Sequence, residues 1–442
     1  MLNSKRLVAC GIVALFGGAA ATLAAAAAPA PEFVQFSPSA TKGAFYRPDA
    51  AVYPKAHVGV LVMHRNSNYL SHISTKELAS RGFFVLGMNP RCDNNEAACA
   101  PWENNALDVK QGVTYLRSQP GITKVVLLGH SGGGPTMTFY EAVAEKGVSF
   151  CQAPEKLMKC SSALAGLPRA DGVILMDAHP GNGINAVRSI NPTVVNDAAI
   201  MNFNQEPQVD PQLDPFDPAN GYRRDGTSTF SERFKQLYFR YQAQRMNYLI
   251  SEAQAKLADV EARGLGDAPF IVPLGDNARL ADIDVSIHHS TRQNRKLLKN
   301  DGTIEGRFAV ESVRVANSTP ENAVGFGATM FLTVKSFLSV RAVRSNESMN
   351  EIEWCSSNNS TTCNVQSMSV PLLVTAMGGH YFIRDSEVFF DMAASKDKDF
   401  YVIEGATHGG TPCTACAKTP GQYSNATKNL FDLMQRWMDE RF

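Results

Sequence analysis

The 442-residue chain has no excess charge of either sign, with 42 Lys and Arg against 42 Asp and Glu. A balance of zero leaves no electrostatic footprint for a nucleic acid or an acidic membrane surface, so neither is expected as a partner. Residues 183–368 show no internal repeat, which argues against a stacked repeat architecture there. Recognisable metal patterns are missing as well. The acidic stretch 205–220, with Asp210, Asp214 and Asp217, lacks the glycine and the terminal bidentate Glu of an EF-hand loop. His288-His289 has no carboxylate at ligand spacing, and Cys413-Thr414-Ala415-Cys416 lacks the βαβ surroundings of a redox C-x-x-C. No metal and no cofactor are expected.

What is present begins with a leader. Lys5 and Arg6 precede an alanine-rich apolar run, Leu7 to Ala28, closed by small residues and by Pro29. This is the pattern of a cleaved signal peptide over residues 1–28, and it implies export to the periplasm or beyond with no lasting membrane anchor. Beyond Cys10, eight cysteines fall in four close pairs. In an oxidising compartment the simplest connectivity is local: Cys92 to Cys99, Cys151 to Cys160, Cys355 to Cys363 and Cys413 to Cys416.

The chemistry centres on Lys124-Val125-Val126-Leu127-Leu128-Gly129-His130-Ser131-Gly132-Gly133-Gly134. A buried strand ends at a serine flanked by glycines, and Pro135 to Ala144 then has helical character. A reversal this tight strains the backbone at the serine, and side chains two residues either side would collide. The helix that follows aims free N–H groups at any charge developing beside Ser131. Gly129-x-Ser131-x-Gly133 in this strand–turn–helix setting resembles the nucleophile elbow of the α/β-hydrolase superfamily.

The resemblance implies a mainly parallel sheet flanked by helices, and the chain order agrees with it. Strands are expected at Ala56–Met63, Phe83–Met88, Ala170–Met176, Val370–Met377 and Phe400–Ile403, alternating with helical stretches. It also implies a catalytic histidine just past the last strand, where Gly405-Ala406-Thr407-His408 stands. The second oxyanion donor is implied just beyond His64, where Arg65 replaces the usual glycine, leaving Asn66 or Arg65 N–H to join Gly132 N–H. His64 itself is read as a structural residue under that loop. The acid is less direct. The usual position after Pro371 holds His380, so Asp177, at the end of the strand that follows the elbow helix, is the expected acid, with Glu387 and Asp385 as alternatives.

These readings combine into an exported serine hydrolase acting on a small-molecule carboxylic ester, with Ser131 as nucleophile, His408 as base and Asp177 as acid. The alternatives are an amidase or peptidase with the same triad, or a non-catalytic binding protein on a hydrolase scaffold. The expected organisation is a signal peptide over 1–28, a hydrolase core over 29–184 and 369–442, and a large inserted cap or lid over 185–368. The long helical stretch Thr229–Arg263 belongs to that cap, and its Phe234, Leu237, Tyr238, Tyr241, Tyr248 and Leu249 are expected to form an apolar face.

Overall fold

A computed structural model of the protein describes residues 29–37, 40–92, 94–197, 208–276, 278–316 and 328–442. The expected leader, 1–28, lies outside the described residues. The strands in chain order are Glu32–Gln35 (β1), Lys42–Tyr46 (β2), Val58–Met63 (β3), Phe84–Asn89 (β4), Lys124–His130 (β5), Gly172–Met176 (β6), Pro269–Val272 (β7), Arg295–Leu298 (β8), Ile304–Arg307 (β9), Met330–Thr333 (β10), Ser345–Glu347 (β11), Glu351–Ile352 (β12), Leu372–Met377 (β13) and Lys398–Ile403 (β14). Ten of them form one sheet in the order β1-β2-β4-β3-β5-β6-β13-β14-β8-β9. From β4 to β8 every neighbour is parallel, and the antiparallel pairs stand at the two edges.

The central strands are continuous apolar runs because helices cover both faces of the sheet. All six residues of β3 and of β13 are buried. On one face, Val109, Val113 and Leu116 of α2 (Asn105–Ser118) and Met137, Phe139 and Tyr140 of α3 (Gly133–Lys146) pack against β3, β5 and β6. On the other, Leu78 of α1 (Ile73–Ala79) packs with the C-terminal helix Ala426–Asp439. That helix presents Leu430, Met434, Trp437 and Met438 at the i, i+4, i+7, i+8 spacing of one buried face. This is the α/β-hydrolase architecture.

The stretch 185–368 divides in a way its sequence does not announce. β8 and β9 leave it to extend the main sheet beyond β14. Both are four-residue strands with exposed polar positions, too short to carry a strong alternating pattern, and β9 forms the edge. Much of the remainder packs around the helix Glu232–Ala262. Its Met246, Leu249, Ile250 and Ala253 meet Ile184, Val187 and Ile190 and the two-stranded β7–β10 sheet, and its Phe234 and Tyr238 meet Leu280 and Ile283. The expected apolar face of this helix is narrower than its aromatic content suggests. Tyr241 and Tyr248 lie outside the 3.6-residue stripe and are exposed. Asp210, Asp214 and Asp217 each accept a backbone N–H two residues on and so act as turn caps.

Two buried ion pairs tie elements together. Arg188 of the helix Asn182–Ser189 meets Asp385 at 2.9 Å, and Arg245 meets Asp197 at 2.7 Å. All four expected disulfides are present, with Cα atoms 5.1 to 5.5 Å apart. Among the described residues no helix is long and apolar enough to cross a membrane.

Denaturing the unreduced protein in the presence of an alkylating reagent should therefore leave all eight paired cysteines unmodified. Mass spectrometry after digestion should find four cross-linked peptide pairs joined as above. Free thiols at these positions would contradict the pairing.

Candidate active site

The turn from β5 into α3 carries Ser131 at a backbone φ of 56°, a left-handed conformation that costs a non-glycine residue energy. Its carbonyl holds the strain by accepting the N–H groups of Gly134 (3.0 Å) and His179 (2.9 Å). A side chain at Gly129 would meet Gly133 O and Gly134 Cα at 2.8 Å, so only glycine lets the helix fold back this closely. Gly132 is the N-cap of α3, at the helix end where backbone donors have no intrahelical partner.

Asp177 ends β6, also left-handed with φ 42°, and is fully buried. Its N–H donates to Thr375 O at 2.8 Å, and its Oδ1 accepts Met377 N–H at 3.1 Å. Both partners belong to β13, so the adjacent parallel strand orients the carboxylate. His408 lies on the loop after β14. Its Nδ1 is 2.6 Å from Asp177 Oδ2, and its Nε2 is 3.0 Å from Ser131 Oγ. The carboxylate keeps the proton on Nδ1, which leaves Nε2 free to accept the serine proton.

The alternative acids serve elsewhere. Asp385 is occupied by Arg188. Glu387 accepts from the backbone N–H groups of Arg292 and Gln293 and pairs with Arg295 and Arg384. Both sit on the buried side of the helix Ile383–Met392 and anchor neighbouring segments.

The chain concentrates histidine here beyond what the pattern of motifs shows. His179 Nε2 is also 3.0 Å from Ser131 Oγ. With the amide nitrogen of Asn182 facing its Nδ1 at 3.2 Å, His179 carries its proton on Nε2 and is a donor to the serine. His380 Nδ1 lies 2.7 Å from Asp177 Oδ2, but off the direction a hydrogen bond needs, so it is a close electrostatic neighbour without a bond. His130 Nε2 donates to His408 O at 2.8 Å while its Nδ1 meets Tyr69 Oη and His72 Nε2, each at 3.0 Å. The position of His179, two residues past Asp177, was the only signal available for it.

Asp177, His380 and His408 are the one group of potential metal ligands that converges among the described residues. The ligand atoms of a single zinc ion, each about 2 Å from it, would stand about 3.3 Å apart. Here the separations from Asp177 Oδ2 are 2.6 and 2.7 Å, too close for two ligand atoms of one ion.

Burial and charge set the protonation states. Burial alone would raise Asp177, but His380 and His408 outweigh it and hold the carboxyl well below the usual range. Burial pushes His72 down to about 4. Burial first pushes His64, His130 and His179 well below the ordinary imidazole value; Arg65 adds to this at His64 and His179, and the neighbouring His408 ring at all three. These rings are neutral near pH 7.

Of the two backbone donors expected beyond His64, the Asn66 N–H is engaged within its own loop. Asn66 N–H donates to His64 Nδ1 at 3.3 Å, as does Ser67 N–H at 3.0 Å. Arg65, where the superfamily pattern has glycine, is buried against Glu96 at 2.8 Å.

Strand order, strained serine and the Ser131–His408–Asp177 chain define an α/β-hydrolase fold that carries a Ser–His–Asp constellation. No known protein-family profile and no curated protein matches the chain. Among solved structures it is similar to a hypothetical protein of Pseudomonas aeruginosa (12% identity, 98% of this chain and 100% of that one, TM-score 0.42). It is also similar to Est1E from Butyrivibrio proteoclasticus (10%, 93% and 98%, TM-score 0.40). A third is a soluble variant of monoglyceride lipase from Saccharomyces cerevisiae (10%, 93% and 95%, TM-score 0.37).

The neutral histidines link stability to pH. Each has a lower pKa folded than unfolded, so below ~6.5 the unfolded chain binds more protons. Their contribution is complete above that value and is lost as pH falls toward the folded pKa, which for His72 is about 4. The unfolding free energy should drop steadily between those limits, by on the order of 1 kcal/mol per pH unit for each buried ring, and the thermal midpoint should fall with it. Asp177 stays ionised across that range, and a midpoint flat from pH 7 to pH 4.5 would contradict the neutral assignment.

Proposed function

We propose that this protein is an exported serine hydrolase that cleaves a carboxylic ester through an acyl-enzyme on Ser131. The observation that carries the reading is the continuous hydrogen-bond path from Ser131 Oγ through His408 to the buried, ionised Asp177. Serine is a poor nucleophile at its own pKa and needs a base within hydrogen-bond reach.

In the first half-reaction Oγ bonds to the acyl carbon as its proton passes to His408 Nε2. Negative charge moves to the carbonyl oxygen, which Gly132 N–H faces from the start of α3. The tetrahedral intermediate then collapses, and the leaving alcohol takes the proton from His408. Water repeats the cycle: its oxygen bonds to the acyl carbon as its proton passes to His408, the bond to Oγ then breaks, and His408 returns the proton to Ser131 as the acid leaves. Throughout, Asp177 holds the imidazole by Nδ1–H and stabilises its positive form without itself becoming protonated. Four disulfides support an oxidising, extracytoplasmic setting.

A fluorophosphonate probe should label the protein at Ser131, and a panel of esters beside amides should yield turnover chiefly of an ester. Ser131→Ala should lower kcat by on the order of a millionfold with the circular dichroism spectrum unchanged. Asp177→Asn should lower it by about 10⁴-fold through loss of the productive tautomer. Glu387→Gln should instead lower stability, by on the order of 3 kcal/mol, because it strips a buried charge from Arg295 and Arg384. Amide turnover in preference to ester turnover would replace the substrate class, and an unlabelled Ser131 would remove the serine mechanism.

A further inference from the structure

We infer that His64 is a catalytic residue: its Nε2–H supplies the second donor of the oxyanion hole, in the place usually held by a backbone N–H. The inference rests on the serine-hydrolase reading above and assigns a further residue to that same site.

The first step is the tautomer. His64 Nδ1 receives two backbone N–H groups, from Ser67 at 3.0 Å and from Asn66 at 3.3 Å. A ring nitrogen that accepts carries no proton, so in the neutral ring the proton is on Nε2. Burial first, and then Arg65, keep the ring neutral. Nε2–H is therefore a donor, and it meets no acceptor among the described residues.

The second step is position. A β-carbon built on Gly132 would lie 2.6 Å from His64 Nε2 and 3.3 Å from Arg65 Cδ. The imidazole edge thus faces the residue directly after the nucleophile, whose own N–H is the first oxyanion donor. It also explains why Gly132 must be glycine, since any side chain would displace the ring.

The third step is what the loop has given up. The Asn66 and Ser67 N–H groups are spent on holding the imidazole through Nδ1. Donor capacity lost by the backbone is returned at Nε2. Arg65 strengthens the arrangement: its guanidinium is held by Glu96, which Arg341 also pairs at 2.7 Å. Its buried Nε–H has no hydrogen-bond partner among the described residues and adds positive potential beside Gly132. A purely structural role would need only Nδ1, which already pins the loop.

In the reaction no proton leaves His64. As the bond from Ser131 Oγ to the acyl carbon forms, the carbonyl oxygen gains the electron pair of its π bond. Gly132 N–H and His64 Nε2–H then each donate to that oxygen. A neutral imidazole suits the task, because it donates without surrendering its proton to the intermediate.

The test compares fluorophosphonate labelling rates of the full chain, since phosphonylation loads the same hole and needs no known substrate. His64→Asn keeps an acceptor where Nδ1 stood and removes the Nε2 donor. It should label about 10²–10³-fold more slowly than the unaltered protein, while its unfolding midpoint stays close to the original. His64→Gln, which extends an amide N–H toward the Nε2 position, should recover about tenfold of that loss. Labelling of His64→Asn within about threefold of the unaltered rate would overturn the inference. Should His64→Asn fail to fold, ¹⁵N NMR of the unaltered protein decides: an Nε2–H tautomer at His64 supports the assignment, and an Nδ1–H tautomer overturns it. Failure of the unaltered protein to label at Ser131 would instead count against the hydrolase reading itself, before any His64 variant is made.

Discussion

The burial of the Asp177 carboxylate is the constraint on which the site depends. A lone ionised carboxylate removed from water would cost several kcal/mol and would normally be protonated instead. Here it is kept charged by Met377 N–H on one oxygen and His408 on the other, with His380 close beside it. Those three partners come from β13 and from the loops after β13 and β14. The sheet must therefore be assembled before this carboxylate can be both buried and ionised. The positive φ at Asp177 fits this picture, because the backbone is bent to aim the side chain at a histidine 231 residues away in the chain.

Around that charge the protein gathers six of its nine histidines, His64, His72, His130, His179, His380 and His408. Six imidazolium ions in so small a volume would repel one another. Burial resolves the conflict by keeping most of the rings neutral, and each then works as a fixed donor–acceptor pair. His130 illustrates the gain: it bridges the Tyr69–His72 cluster to His408 O and so positions His408 through its backbone. His179 and His64 are oriented through their Nδ1 atoms, which leaves an Nε2–H to face Ser131 and Gly132 respectively.

The remaining acidic groups near the site are used for cohesion. Asp385 and Glu387 lie on one helix and each binds arginine side chains arriving from the stretch inserted between β6 and β13. Buried pairs of this kind add little net stability compared with apolar packing, but removing one partner strands the other. They act as register marks, setting where the inserted region sits relative to the core. The Arg65–Glu96–Arg341 group does the same beside the elbow.

Much of this was legible in the chain alone wherever the determining interactions are local. The β5 strand, the glycines at 129, 132 and 133, and the helix after them lie within about twenty consecutive residues, so their geometry follows from backbone sterics. The four disulfides close loops of three to nine positions, and proximity along the chain settles their pairing. The continuous apolar strands announce a sheet covered on both faces. Other features depend on which atoms meet across the fold. Asp177, Asp385 and Glu387 are alike as carboxylates, and only the arrival of Arg188, Arg295 and Arg384 at two of them separates their roles. β8 and β9 are too short and polar to be recognised until β14 offers them an edge. Motif spacing carries no information about a ring tautomer, so the parts of His64 and His179 could not be read from it. Those are decided by which groups the tertiary structure presents to each Nδ1, because hydrogen bonding at one imidazole nitrogen determines what the other can do.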